Sequence, residues 1–314
     1  MGAVALACAI GVYGQQGSTR VGPWRTRSGR DAYVGTAVIV SEFPHDPSAF
    51  TQGLCFDDDG NLYESDGIYR KSAVRRVDVA SGRSLRHTAN EHKYFGEGAT
   101  VINGSLYQLT WREGAVHEFG LGDLDKVATR KHPMREGWGL AYDAARNVVY
   151  GTEGSNRVYV FSDATLATQT RPPLSVSDPE LGGLRIEGLN ELEMVEGELW
   201  ANVLPLNHHA ASPCVARIDV GTGAVIGWVD LSLLRTKQSA KILRERLHYV
   251  TNGIAYRTAA PGESRPTLYA TGKMWEKMFD VDVDGTDLGP RHVATRCDLY
   301  IPPGHAAAKI AHRG

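Results

Sequence analysis

Short runs of alternating apolar and polar residues fill most of the chain, and turn-forming residues separate them. Val74-Arg75-Arg76-Val77-Asp78-Val79 and Val215-Ala216-Arg217-Ile218-Asp219-Val220 alternate with the two-residue period of a half-buried strand. Upstream of such runs, a hydrophobic-aromatic pair recurs as Leu62-Tyr63, Leu106-Tyr107, Val149-Tyr150, Leu199-Trp200 and Leu268-Tyr269. A turn precedes each pair, at Asp59-Gly60-Asn61, Asn103-Gly104, Ala145-Arg146-Asn147, Glu196-Gly197 and Ala260-Pro261-Gly262. A short strand precedes each turn and opens on a related triplet: Gln52-Gly53-Leu54, Glu97-Gly98-Ala99, Trp138-Gly139-Leu140, Asn190-Glu191-Leu192 and Asn252-Gly253-Ile254. One unit is therefore three or four antiparallel strands in about 45 residues, the size and pattern of a propeller blade. The repeats predict an all-β chain folded as a five-bladed β-propeller.

Two segments stand apart from this rhythm. Leu231 to Leu247 is predicted as a single helical insertion before the last blade, with Leu233, Leu234, Ile242, Leu243 and Leu247 inward and Lys and Arg elsewhere. Tyr33 to Val40 is predicted as an extra strand that completes the last blade and closes the ring, protecting edges that would otherwise aggregate. The expected organisation is an apolar leader and linker over 1–30, one propeller domain over 31–300, and a tail over 301–314.

Composition agrees with one folded globular body. The chain has 314 residues, is 42% hydrophobic, and carries a net charge of −2, which gives no electrostatic case for binding nucleic acid. Its 35 glycines suit a protein of many turns. Ala3 to Tyr13 has the length of a signal-peptide apolar region, with Arg20, Arg25, Arg27 and Arg30 after it. It is read as a clipped signal or an uncleaved anchor, which places the protein in the secretory pathway or outside the cell. Contact with membrane is expected only if that segment stays attached. Leu6 stands where a myristoylation motif needs Ser or Thr.

Cys8, Cys55, Cys214 and Cys297 lie far apart with no CxxC pair, which favours buried free thiols and leaves one disulfide open for a secreted chain. Asn103-Gly104-Ser105 is a hairpin turn in any compartment and a glycosylation acceptor in a secretory one. Asp280 to Gly285 superficially matches a calcium loop, but Arg291 stands where that loop needs a bidentate Glu, so a strand ending in a turn is expected. His208-His209, His45, His87 and His92 have no zinc spacing, and no HExxH or GxSxG occurs. No catalytic metal and no cofactor are expected.

Superposing the repeats gives a functional signal. Gln52, Glu97, Trp138, Asn190 and Asn252 fall at one equivalent position on the strand nearest the axis, where a purely structural ring would repeat one residue type. Phe50 and Phe95 lie two residues earlier, on the same strand face. Four residues after each aromatic of the pair stand Gly67, Trp111, Gly154, Leu204 and Lys273. Tryptophans in propellers also serve as wedges between blades, so each residue alone has a structural reading. Jointly they describe an aromatic cavity with a few convergent polar groups, suited to a small ligand or a peptide terminus.

These residues resemble the plant- and bacterial-type glutaminyl cyclases, the glutaminyl-peptide cyclotransferases. The resemblance runs from Phe43 to Val283. It rests on His45-Asp46-Pro47-Ser48-Ala49-Phe50-Thr51-Gln52-Gly53-Leu54, Tyr94-Phe95-Gly96-Glu97-Gly98 and Leu106-Tyr107-Gln108-Leu109-Thr110-Trp111. Gly137-Trp138-Gly139-Leu140, Leu189-Asn190-Glu191-Leu192-Glu193, Trp200-Ala201-Asn202 and Thr271-Gly272-Lys273-Met274-Trp275 follow in order. It implies a metal-independent acyltransferase that converts amino-terminal glutamine of peptides and proteins to pyroglutamate and releases ammonia. It further implies Glu97 as acid/base, Asn190 and Lys273 as essential polar partners, and Phe50, Gln52, Phe95, Trp111 and Trp138 as pocket residues. The chain departs from the family at Leu204, where another Trp is usual, and in the longer stretch Pro205 to Pro213. The rival readings are a non-catalytic peptide-binding propeller and a lactonase-type metal hydrolase; the latter would need a central ring of carboxylates, where this chain offers mainly Glu97.

Overall fold

The computed structural model describes residues 31–204, 212–245 and 248–312. Strand β1 (Val34–Pro44) comes first, followed by a four-stranded antiparallel sheet of β2 (Thr51–Phe56), β3 (Leu62–Asp66), β4 (Ala73–Asp78) and β5 (Arg83–Ala89). The second such sheet holds β6 (Gly96–Ile102), β7 (Ser105–Thr110), β8 (Ala115–Gly120) and β9 (Lys126–Lys131), and the third β10 (Leu140–Asp143), β11 (Val148–Thr152), β12 (Arg157–Phe161) and β13 (Leu174–Ser175). A small hairpin of β14 (Ser177–Asp178) and β15 (Leu184–Arg185) leads into β16 (Leu189–Val195), β17 (Glu198–Val203), β18 (Cys214–Ile218) and β19 (Val225–Asp230). Helices α1 (Ser232–Thr236) and α2 (Ala240–Arg244) precede β20 (Thr251–Arg257), β21 (Thr267–Gly272) and β22 (Lys277–Thr286). Helices α3 (Pro290–Arg296) and α4 (Ala306–His312) end the described chain.

The architecture is all-β with a few short helices. Strand β1 lies antiparallel beside β22, from Val34 opposite Thr286 to Pro44 opposite Lys277, and so is the outer strand of the last sheet. Its first residues, Val34 to Thr36, also pair in parallel with Trp228 to Asp230 of β19, joining two four-stranded sheets into one of eight. The opening strands pack in a closed cycle: β2 against β6 and β20, β6 against β10, β10 against β16, and β16 against β20.

Glycine makes this approach possible. The Gly98 N–H donates to the Trp138 carbonyl at 2.6 Å, and a Cβ on Gly98 would stand 2.5 Å from that oxygen. A Cβ on Gly139 would stand 2.0 Å from the Asn190 carbonyl oxygen. Any side chain at these positions would push the inner strands apart. Where the fourth repeat has Glu191 instead of glycine, its carboxyl accepts from the Ile254 N–H at 3.2 Å, and Glu193 accepts from the Tyr256 N–H at 2.8 Å. Burial pushes both carboxyls up, Glu193 to about 8.

The repeated aromatics fill the space between neighbouring sheets. Tyr63 and Val74 pack with Leu106 and Phe119, and Tyr107 and Leu109 pack with Val149 and Phe161. Each strand is therefore buried on both faces near the axis, while outer strands β5 and β9 are largely exposed and carry Arg83, Arg86, Lys126, Arg130 and Lys131. Basic edges of this kind resist pairing with another sheet. Behind β2, a buried ion network fixes the entry to that strand. Glu64 receives the Thr51 hydroxyl at 2.7 Å, His45 Nε2 lies 3.0 Å away, and Arg75 reaches Glu64 at 2.9 Å and Asp46 at 2.6 Å. Burial alone would raise Glu64, but His45 and Arg75 outweigh it and hold the carboxyl at about 2.

Two expectations need correction. The insertion is not one helix from Leu231 to Leu247 but two short ones, because Ser239 is extended (φ −66°, ψ 162°) between them. Leu234 and Ile242 are buried as expected, whereas Leu233 and Leu243 are 42% and 43% exposed; Leu247 lies outside the described residues. Arg235, read from sequence as outward, instead donates to the carbonyls of Ile242, Glu245 and Tyr249 and ties the two helices together. Cys214 and Cys297 form a disulfide, with Cα atoms 5.3 Å apart, rather than remaining free thiols. The fold carries β18 beneath the end of α3, a proximity that their separation of 83 residues conceals. Cys55 is buried and free, while Cys8 and the apolar stretch before Tyr13 lie outside the described residues. The C-terminal tail from residue 301 carries α4. Alanine-rich α4 packs on α3, with Ala307 fully buried.

Candidate active site

Four of the opening strands carry a β-bulge at the position singled out by the repeats. Register shifts fall between Thr51 and Gly53, Gly96 and Ala99, Leu189 and Leu192, and Thr251 and Ile254. A bulge releases one residue from the ladder and re-aims its side chain. The released residues include Gln52, Glu97, Asn190 and Asn252. In the remaining unit Trp138 stands just before β10, held by its N–H to the Thr152 carbonyl at 3.0 Å.

All five side chains are buried, and three are joined directly. Gln52 Nε2 donates to Glu97 Oε1 at 3.2 Å, and Asn252 Nδ2 donates to the Thr51 carbonyl at 2.9 Å and to Gln52 Oε1 at 3.4 Å. Backbone contacts steady Glu97, whose carbonyl accepts from the Ser65 hydroxyl. Asn190 shares the inner ring through its carbonyl, which takes the Thr152 hydroxyl at 2.8 Å, but its Oδ1 is buried without a partner. A buried acceptor left open in this way is suited to a ligand donor.

Lys273 follows β21 and is 4% exposed. Its Nζ lies 4.8 Å from the Phe50 ring centroid, a cation–π contact. Burial pulls its ammonium down to about 8, against the opposing pull of Glu97. Burial likewise pushes the Glu97 carboxyl well above the usual range; Lys273 counters this, and the carboxylates of Glu136 and Glu113 reinforce it. Burial thus favours the neutral form of both groups, and each one's charge opposes that shift in the other.

Aromatic side chains form the wall. Phe50 meets Phe95 edge to face at 6.2 Å, and Phe95 meets Trp111 at 5.5 Å. Trp111 and Trp138 come from different sheets, yet both indole N–H groups donate to Glu136 Oε2, at 2.9 and 3.0 Å. Of the second repeated position, Gly67 lies against Phe95 and Gln52, and Gly154 against Trp138. Leu204 is half-buried, its N–H donating to the Gly188 carbonyl at 2.8 Å, and residues 205–211 after it lie outside the described residues, as do His208 and His209.

The family model described as glutamine cyclotransferase matches residues 9–283. A curated Arabidopsis thaliana relative named glutaminyl-peptide cyclotransferase is 36% identical over 248 residues, covering 77% of this chain and 70% of the relative. The chain belongs to the glutamine cyclotransferase family. The crystal structure of Myxococcus xanthus glutaminyl cyclase superposes with a TM-score of 0.68 at 28% identity, covering 82% of this chain and 100% of that one. The overall fold is accordingly the β-propeller-like fold of a glutaminyl cyclase.

Within this member of the glutamine cyclotransferase family, the structure adds residues that sequence reasoning passed over. Glu113 accepts from the Tyr69 hydroxyl at 2.8 Å and from the Phe95 N–H at 3.4 Å, and Arg112 lies 3.7 Å from the Trp111 ring centroid. Glu136 had a signal available, since it stands two residues before Trp138 on the segment leading into the inner strand. Glycine at 154 is required by its φ of +78° and by Trp138, whose ring a Cβ would approach to 2.6 Å. Gly154→Ala is therefore expected to displace the Trp138 indole and raise KM for a Gln-initiated peptide about tenfold, a loss of one or two ring contacts in free-energy terms. Unchanged KM in steady-state assays would show that this indole does not bound the substrate site.

Proposed function

We propose that this chain is a glutaminyl-peptide cyclotransferase whose reaction takes place at the inner ring around Glu97. Family membership supports the reaction class. The observation that carries the site is the burial of Glu97 and Lys273, each influencing the other's ionisation, inside one aromatic wall. The four-stranded sheets are best read as five propeller blades, with β1 completing the fifth and α1–α2 as an insertion before it. The catalytic domain begins at about residue 31, where the repeating fold begins, and takes in α4. The Cys214–Cys297 disulfide favours an oxidising compartment, in keeping with a secretory destination for the Ala3–Tyr13 leader.

The α-amine of the substrate attacks its own side-chain amide carbon, a C–N bond forms, and the former amide nitrogen leaves as ammonia. An α-amine titrates near pH 7.7–8.0, so a useful fraction is already nucleophilic at neutrality. The difficult parts are folding the side chain back and making ammonia a competent leaving group. Phe50, Phe95, Trp111 and Trp138 would hold the glutamine stem curled and keep out water that would yield glutamate instead. Glu97 would take the proton from the attacking amine and deliver it to the departing nitrogen, and burial strengthens its hold on that proton in transit. Gln52 orients that carboxyl. Lys273, as a cation, and Asn190, as a side-chain donor, would stabilise the oxyanion, each such donor being worth about 3 kcal/mol.

Incubation with a Gln-initiated peptide should produce a loss of about 17 Da, the mass of the ammonia expelled in this acyl transfer. Glu97→Gln should keep peptide affinity and lower kcat by about 10²–10⁴-fold, the usual contribution of a positioned acid/base. Near-normal turnover in that variant would overturn the assignment of Glu97. Peptide binding by the unmodified protein without any mass loss would favour the scaffold reading.

The pH dependence follows from Lys273. A lysine lowered to about 8 is charged below that pH and neutral above it, so oxyanion stabilisation fades as pH rises through 8. We expect kcat to fall on that limb in the native protein. In Lys273→Arg, whose guanidinium stays protonated throughout, the fall should be absent in whatever activity remains. An identical alkaline limb in both proteins would rule Lys273 out as its source.

A further inference from the structure

We propose that Glu136 is a positioning residue that sets the width of the substrate slot by fixing Trp111 and Trp138 through one carboxylate oxygen. The inference rests on the pocket reading above and adds to it a residue that does not touch the reacting atoms. Trp111 follows β7 of the second sheet and Trp138 precedes β10 of the third. The Gly137 N–H donates to the Trp111 carbonyl at 2.8 Å and holds the two segments side by side, which leaves a side chain to bring the rings themselves into register. Glu136 Oε2 does so, accepting the Trp111 indole N–H at 2.9 Å and the Trp138 indole N–H at 3.0 Å.

The carboxylate is itself held. Its Oε1 lies 3.4 Å from Arg112 Nε, and the Arg112 guanidinium stacks 3.7 Å from the Trp111 ring centroid. The Glu136 side chain is only 17% exposed, although Arg112 is largely in solvent. Arginine, carboxylate and two indoles thus form one clamp across the gap between sheets. An ionised carboxylate is an acceptor only, with room for two N–H donors on one oxygen, and such charge-assisted bonds are roughly twice as strong as neutral ones. Glutamine at this position would retain a neutral acceptor but direct an NH₂ donor at either the indoles or Arg112. Alanine would leave both indole N–H groups without their acceptor.

A second consequence is electrostatic. The charged groups bearing on Glu97 are Lys273, Glu136 and Glu113. Glu136 is negative and raises the proton affinity of Glu97, so neutralising it makes Glu97 lose its proton at lower pH. Where kcat rises with pH as Glu97 ionises, that limb should move to lower pH in Glu136→Gln. A purely architectural role would leave the limb in place.

The test is steady-state cyclisation of a Gln-initiated peptide by the native protein, Glu136→Gln and Glu136→Ala, with Glu97→Gln as a separate arm and thermal unfolding followed for each. We expect KM to rise about threefold in Glu136→Gln, whose acceptor is neutral, and about tenfold in Glu136→Ala, which has no acceptor. Tryptophan emission should shift to the red in Glu136→Ala as the freed indoles meet water. The unfolding midpoint should stay within about 4 °C of the native value in Glu136→Gln, which is close to isosteric. Native KM, emission and pH profile in Glu136→Gln, alongside an inactive Glu97→Gln, would overturn the role of Glu136 and leave the pocket intact. An active Glu97→Gln would instead overturn the pocket reading. Should Glu136→Ala fail to fold, the KM and pH limb of Glu136→Gln decide.

Discussion

The inner strands of this protein touch backbone to backbone, and the active site depends on that closeness. Where Gly98 meets the Trp138 carbonyl and Gly139 the Asn190 carbonyl, no Cβ fits. Beside this close contact, bulges at Gln52, Glu97, Asn190 and Asn252 free those residues from the regular ladder. The closed architecture and the released side chains therefore meet at the same inner ring. The wedge aromatics Tyr63, Tyr107 and Tyr150 hold neighbouring sheets at the spacing this ring demands.

The same closeness sets the chemistry. A carboxyl and an ammonium that would be fully ionised in water are enclosed together at Glu97 and Lys273, which are 5% and 4% exposed. Desolvation drives both towards neutrality and their mutual attraction opposes it, with Glu113 and Glu136 tipping Glu97 further towards its protonated form. A proton shuttle must accept and return a proton within one turnover, and opposing pulls on its charge of this kind serve that task. The aromatic wall serves the balance as well as the substrate, since it keeps water from screening the pair.

The period of the repeats and their turn signals were readable in the sequence because each unit solves the same packing problem. Tyr33 to Val40 was recognisable as an extra strand from its apolar residues, although the strand runs on to Pro44, and the equivalent position of Gln52, Glu97, Trp138, Asn190 and Asn252 followed from counting. What escaped were contacts between units. The Cys214–Cys297 disulfide joins a strand to a helix that only the closed fold makes neighbours. Arg235 looked like a solvent-facing helix residue, but carbonyls from a second short helix recruit it inward. Glu136 is one charged residue among 36 acidic ones until the third dimension brings two indoles to it. Periodicity reports which face a residue occupies, not which distant group arrives there.

The most direct measurement is a crystal structure of Glu97→Gln with an intact Gln-initiated peptide bound. The first residue should lie between Trp111 and Trp138, with its side-chain amide beside position 97 and the amide oxygen within hydrogen-bond reach of Lys273 or Asn190. A peptide whose glutamine lodges elsewhere, such as the cleft formed by His45, Asp46 and Arg83, would contradict it.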